Sequence, residues 1–217
     1  MITTMNLTDE GVGDGTRPAT DRVDPGALWA DMVARHDVVT ARDLPVGTPA
    51  HVPEVALLAC SDARVPPSVL FDAAAGSLFV VRHAGNTASP AAVASLDYAV
   101  ERLGVQLVVV LGHTSCGAVE AALAGSRDPD LVEVVDPIAA VIAACGHCDT
   151  VDEAVSANVA ATVAALADHD GAVGRGARSG AVVIRGVVHD LATGELRPVA
   201  TRPDPENPGT HDTTETP

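Results

Sequence analysis

Lysine is absent from this 217-residue chain, so its basic side chains are 13 arginines and 8 histidines, set among 29 acidic residues. The formal charge of -16 leaves no basic stripe of the kind a phosphate backbone requires, and no nucleic-acid partner is expected. Aromatics are nearly missing, with two Phe, one Tyr and one Trp, although 47% of the residues are hydrophobic. The core must therefore be built from Ala, Val and Leu. No apolar run is long enough to span a bilayer, which predicts no membrane partner. The N-terminus lacks a basic region followed by an apolar one, so no secretory signal and a cytoplasmic location are expected. Cysteine is scarce too: Cys60, Cys116, Cys145 and Cys148. In a reducing compartment, metal binding or plain burial is the better expectation than two disulfides.

Residues 1–24 and 201–217 are rich in Thr, Asp, Pro and Gly and read as disordered tails around a single domain at 25–200. The stretch "PGALWADMVARHDVV" reads as a helix, with Leu28, Trp29, Met32 and Val33 at helical spacing and Trp29 as a packing anchor. Short apolar runs then alternate with helical patterns. Strands are predicted at 54–60, 77–82, 106–112 and 180–190, with 195–200 as a hairpin return. Helices are predicted at 89–104, 117–125, 129–145 and 150–169. Near-continuous Val/Leu strands fit a parallel sheet buried on both faces. The expected class is α/β: a mostly parallel central sheet with flanking helices and an antiparallel edge strand.

Chemistry-bearing residues fall at the strand ends, where ligand sites form in open α/β sheets. Cys60 closes the first strand in "ALLACSDARV", Arg82 and His83 close the second, and His113 and Cys116 follow the third in "VVVLGHTSCGAV". Two thiolates and an imidazole make a three-ligand zinc set with an open fourth position, the pattern of a catalytic site. Taken alone, a buried cysteine is more often a small core hydrophobe, and H-x-x-C alone is weak evidence. A rival metal signal, "CGHC", holds Cys145, His147 and Cys148, but it sits where a helix would end in a Gly turn. A structural role is favoured there, with a weak second site or an oxidation-sensitive pair as alternatives.

Together, "CSDARV", "GSLFVVRHAGN", "SLDYAVERLGV", "VVVLGHTSCGAV", "NVAATVAAL" and "VVHDLATGEL" resemble the β-class carbonic anhydrases in order and spacing over residues 27–200. The resemblance implies one Zn2+ per chain, held by Cys60, His113 and Cys116, and reversible hydration of CO2 to bicarbonate by a zinc-bound hydroxide. It implies a homodimer or a dimer of dimers, with Asp62 and Arg64 as the catalytic dyad and substrate contacts from His51 and Gly117. Asp62 can accept the hydroxide's hydrogen, and Arg64 can keep that carboxylate off the metal by bidentate pairing. Two thiolates soften the metal as a Lewis acid, so activity is expected to rise above neutral pH.

Several positions depart from the family pattern. Ala63 replaces a common Ser. His83 stands where Asn or Thr is frequent, as a lining residue or a proton shuttle. His51 takes the place of a substrate-binding Gln nine residues before Cys60, which opens the alternative of a CO2 analogue such as carbonyl sulfide as substrate. Leu57 replaces the Trp of bicarbonate-regulated members, so that regulation is not expected. From another class, a non-catalytic zinc-stabilised module is the rival, and the retained Asp62 and Arg64 speak against it.

Overall fold

A computed structural model describes residues 24–42 and 50–199, and the chain divides into two compact units, residues 1–48 and 49–217. The expected single domain at 25–200 thus spans both units, and the two expected tails lie outside the described residues apart from Asp24. In the first unit, α1 (Pro25–Arg42) begins on a proline, whose fixed φ suits a first turn. The Asp24 carboxylate accepts from the Gly26 amide at 2.9 Å, and Asp31 pairs with Arg35 one turn on. Leu28, Trp29, Met32 and Val33 do share helical spacing. Trp29, however, is 66% exposed, so it is not the packed anchor that the sequence suggests.

The second unit carries β1 (Val55–Ala59), α2 (Pro67–Leu70), β2 (Leu78–Arg82), α3 (Pro90–Leu103), β3 (Leu107–His113) and α4 (Gly117–Leu123). It continues with α5 (Val132–Cys145), α6 (Val151–Asp168), α7 (Ala172–Ser179), β4 (Val183–His189) and β5 (Leu196–Val199). The sheet order is β2-β1-β3-β4-β5, parallel except for the β4–β5 pair. This is the expected α/β architecture.

Strand alternation divides the sheet into two unequal faces. Ala56, Leu58, Val108, Val110 and Ile184 belong to the main core with residues of α3, α4, α5, α6 and α7. Leu57, Ala59 and Leu111 form a much smaller cluster on the other face, edged by Leu70, Leu78 and Val109. Val80 and Val183 remain over a third exposed there. The expectation of a sheet buried on both faces therefore holds fully for one face of the isolated chain and, on the other, only around Leu57, Ala59 and Leu111.

Helix ends follow local chemistry. Ser89 caps α3 through the Ala92 amide, and Thr150 and Glu153 form a reciprocal capping box on α6. The sequence reading misses α7, because "AVGRGARS" holds two glycines that weaken its helical pattern. The structure explains both: a side chain at Gly174 would collide with the His169 carbonyl, and one at Gly176 with the Val182 side chain. Asp97 of α3 anchors the same corner, accepting from the Val173 amide at 2.9 Å and meeting His169 Nε2 at 3.0 Å.

Candidate metal centre

Parallel register brings the reactive residues together. Ala59 pairs with Leu111 on one side and Arg82 on the other, so the chain leaves β1 and β3 side by side. Cys60 follows the end of β1, His113 ends β3, and Cys116 is the residue on which α4 begins. Between the last two, Ser115 adopts a left-handed φ of 52°, which folds the four-residue turn tightly. All three side chains are buried, and their ligand atoms lie within 4.8 Å of one another.

The donor set fits zinc on an internal observation. His113 Nδ1 lies 2.9 Å from the Thr114 carbonyl and can only donate to it, which leaves the lone pair on Nε2. That Nε2 is buried and has no hydrogen-bond partner. An orphaned buried nitrogen facing two sulfurs 3.9 Å apart costs stability unless something is bound there. Two sulfurs and one imidazole nitrogen are a borderline-soft donor set that suits zinc and leaves a fourth tetrahedral place open.

Charge is distributed unevenly over the sulfurs. The hydrogen bond from Cys116 pulls the Cys60 thiol far below its ordinary pKa; burial opposes this, and His113 with the Gly85 and Asp62 amides reinforces it. The same bond, with burial, pushes the Cys116 thiol up.

Asp62 stands at the open side, with Oδ2 3.7 Å from His113 Nε2. Arg64 holds this carboxylate by four contacts: Nε to Oδ1 at 3.0 Å and to Oδ2 at 3.2 Å, Nη2 to Oδ2 at 2.6 Å, and its backbone amide to Oδ1 at 2.8 Å. Arg64 Nη2 also donates to the Ser115 carbonyl at 3.0 Å, which ties the clasp to the loop that carries the other ligands. Arg64's side chain is the main reason that the Asp62 pKa is lowered from 3.8 to about 2.

Three residues that shape the centre were not singled out from the sequence for this role. Arg82 donates to the Cys60 and Asp62 carbonyls at 2.8 and 2.6 Å and braces the ligand loop from the edge strand. Gly85 has a φ of 76° and bends the turn whose His83 carbonyl accepts from the Ser61 amide, next to Cys60, at 3.2 Å. Asn158 of α6, 1% exposed, donates Nδ2 to the Gly85 carbonyl at 2.8 Å across 73 residues. Arg82 was legible only as the residue that closes its strand, and the pairing of β1 with β2 decided its partners. Asn158 opens the "NVAATVAAL" motif of the resemblance, but nothing in that stretch pointed to Gly85 as its partner.

The remaining sequence candidates fall elsewhere. His51 is exposed and stacks on Phe79 with ring centroids 6.1 Å apart, outside the cluster of ligands. Gly117 opens α4 beside Cys116, with no atom within 4 Å of where a Cβ would stand. Both ring nitrogens of His83 face carbonyls, Ala84 O at 3.0 Å and Thr87 O at 2.8 Å. Cys145 and Cys148 are bonded to each other, so "CGHC" offers no thiolate pair to a second metal, and the expectation against disulfides is corrected at this pair.

Residues 55–196 match the family model described as carbonic anhydrase. Carbonic anhydrase 2 of Mycobacterium tuberculosis is 38% identical over 150 residues, 65% of this chain and 72% of that protein. The carbonic anhydrase of Mycolicibacterium smegmatis is 38% identical over 157 residues, covering 69% and 76%. Among solved structures, a Coccomyxa β-carbonic anhydrase in complex with acetazolamide superposes with a TM-score of 0.61 at 27% identity, over 80% of this chain and 82% of that one. A β-carbonic anhydrase of Aspergillus fumigatus gives 0.59 at 28% identity, over 83% and 89%. The family match covers the strands and loops that bring Cys60, His113 and Cys116 together, and with these likenesses it shows that the chain belongs to the β-carbonic anhydrases.

Proposed function

We propose that this chain hydrates CO2 reversibly to bicarbonate and a proton at the Cys60, His113 and Cys116 centre. The observation that carries the reading is the buried, unpartnered His113 Nε2 facing two sulfurs beside a clasped aspartate. When bound, zinc supplies a Lewis acid that makes water nucleophilic near neutral pH. Asp62 accepts a hydrogen bond from the attacking oxygen and so orients its lone pair toward CO2. Arg64 keeps the carboxylate ionised and in place, and its bond to the Ser115 carbonyl couples that placement to the ligand turn. Arg82 holds the carbonyls of Cys60 and Asp62 and thereby fixes the relation of ligand to acceptor.

His51 and Gly117 are proposed to line the substrate path, Gly117 because its lack of a side chain leaves the space beside Cys116 open. His83 supports its loop better than it would shuttle protons, since both nitrogens already face carbonyls. The exposed apolar stripe of α1 and the half-open face of the sheet favour a homo-oligomer, a dimer or a dimer of dimers. Among the described residues no helix is long and apolar enough to cross a membrane.

Stopped-flow CO2 hydration between pH 6.5 and 9, on protein with zinc quantified in the same sample, tests the reading. Near-stoichiometric zinc with a rate that climbs with pH is expected. Full zinc with no hydration at any pH would overturn it and turn attention to His51 and to carbonyl sulfide.

A further inference from the structure

A second pair of sulfurs lies outside the metal centre. Cys145, the last residue of α5, is bonded to Cys148, just ahead of α6, with a Cα–Cα distance of 5.8 Å. Gly146, at a φ of 71°, turns the chain so that two intervening residues suffice. The two sulfurs differ in access. Cys148 is 7% exposed and belongs to the core, whereas Cys145 is half-buried and lines a cavity of about 950 Å3 with His147, Ser156, Arg197 and Val199.

The bond closes a hairpin whose two arms meet again at Gly85. From α5, Ile138 Cδ1 lies 2.6 Å from where a Gly85 Cβ would stand; from α6, Asn158 Nδ2 donates to the Gly85 carbonyl at 2.8 Å. The turn that holds Gly85 is tied to the ligand strand on both sides of Cys60: His83 donates its amide to the Ala59 carbonyl at 3.2 Å, and its carbonyl accepts from the Ser61 amide at 3.2 Å. A helix end that loses its tie frays, and low-stability ends are where local opening begins.

We propose that Cys145–Cys148 is a reversible dithiol–disulfide site whose oxidised form latches the α5–α6 hairpin onto Gly85 and slows the loss of zinc. The proposal rests on the reading of Cys60, His113 and Cys116 as the zinc ligands. Its substrates are thiols and disulfides. A dithiol reductant's thiolate attacks the accessible Cys145 Sγ, the sulfur–sulfur bond breaks, and Cys148 leaves as a thiolate that takes a proton. The reductant's second thiol then displaces Cys145 from the mixed disulfide. Two electrons and two protons pass to the protein, and the reductant ends as its own disulfide. Oxidation by a disulfide runs the same steps in reverse.

The test starts from zinc-loaded full-length protein purified in air without reductant. Thiols are counted by a chromogenic disulfide reagent after denaturation with chelator. Zinc release to a chromophoric chelator is then timed for the native oxidised protein, for protein reduced by a phosphine that is afterwards removed, and for the Cys145→Ser/Cys148→Ser double variant. Two thiols are expected before reduction, from Cys60 and Cys116, and four after it, returning to two on reoxidation. Zinc is expected to leave several-fold faster from both the reduced protein and the double variant.

Four thiols at the outset would overturn the proposal. So would equal zinc release from oxidised protein and double variant, which would leave only a structural bond. Faster release after phosphine treatment with an unchanged double variant would trace the effect to reagent at the metal thiolates, and would equally overturn it. The thiol count needs no metal, so a chain that held no zinc would overturn the metal reading separately.

Discussion

Arg64→Ala isolates what the clasp on Asp62 does. The substitution removes the Nε and Nη2 contacts to the carboxylate and the bond to the Ser115 carbonyl, while all three ligands stay untouched. A carboxyl pKa of about 2 in place of 3.8 corresponds to about 2 kcal/mol of preference for the clasped, ionised form. Arg64's side chain is 55% exposed, so solvent screening reduces the usable part to about 1–2 kcal/mol. Released, the carboxylate 3.7 Å from His113 Nε2 is near enough to fill the open metal position. That position should then be occupied about 5–30 times more often relative to the clasped state, and kcat/KM should fall as the blocked state becomes populated, by at most that factor.

The assay is stopped-flow hydration at pH 8, with the absorption of Co(II)-substituted protein as a direct reading of the coordination sphere. In an Asp62→Ala background, adding Arg64→Ala should cost little more, because the arginine acts through the aspartate. Undiminished kcat/KM in Arg64→Ala with an unchanged cobalt spectrum would refute the reasoning. The sign of the pH effect is also determined. A depressed carboxyl pKa contributes stability that is complete above about pH 3.8 and lost as pH falls through about 2. The clasp is therefore constant from pH 6.5 to 9, and a rate change in that range belongs to another group.

Other substitutions separate the supports of the centre. His113→Ala should leave far less than one zinc per chain by atomic absorption, since it removes the imidazole from a three-ligand set. Gly85→Ala should lower stability by about 2–4 kcal/mol in urea titration, because it places a side chain at positive φ and against Ile138. Asn158→Leu leaves the Gly85 carbonyl unpaired and should cost about 1–3 kcal/mol, read as a drop in the urea midpoint, with faster zinc release to a chelator. Leu58→Ala, in the core behind Cys60, should cost about 2–5 kcal/mol by the same titration without changing zinc per folded chain.

Much of the site was legible because its chemistry is local. "C-S-D-A-R" puts a thiol, an acid and a base within five residues, and "H-T-S-C" puts an imidazole and a thiol on one turn, so residue type and spacing pointed to a metal, and the resemblance to the β-class carbonic anhydrases added acceptor and restraint. The strands were legible because Val/Leu runs of this length suit a buried parallel sheet, and the order of strands and helices set the class. What the sequence could not determine depends on contacts between distant segments. Only the β1–β3 register brings Cys60 beside His113, only the edge strand supplies Arg82 to two carbonyls, and only α6 returns Asn158 to Gly85. A side chain's partner over 73 residues leaves no mark in its own neighbourhood. The exposure of Trp29 and the bond between Cys145 and Cys148 were decided in the same way, by what tertiary packing left uncovered and what it brought within reach.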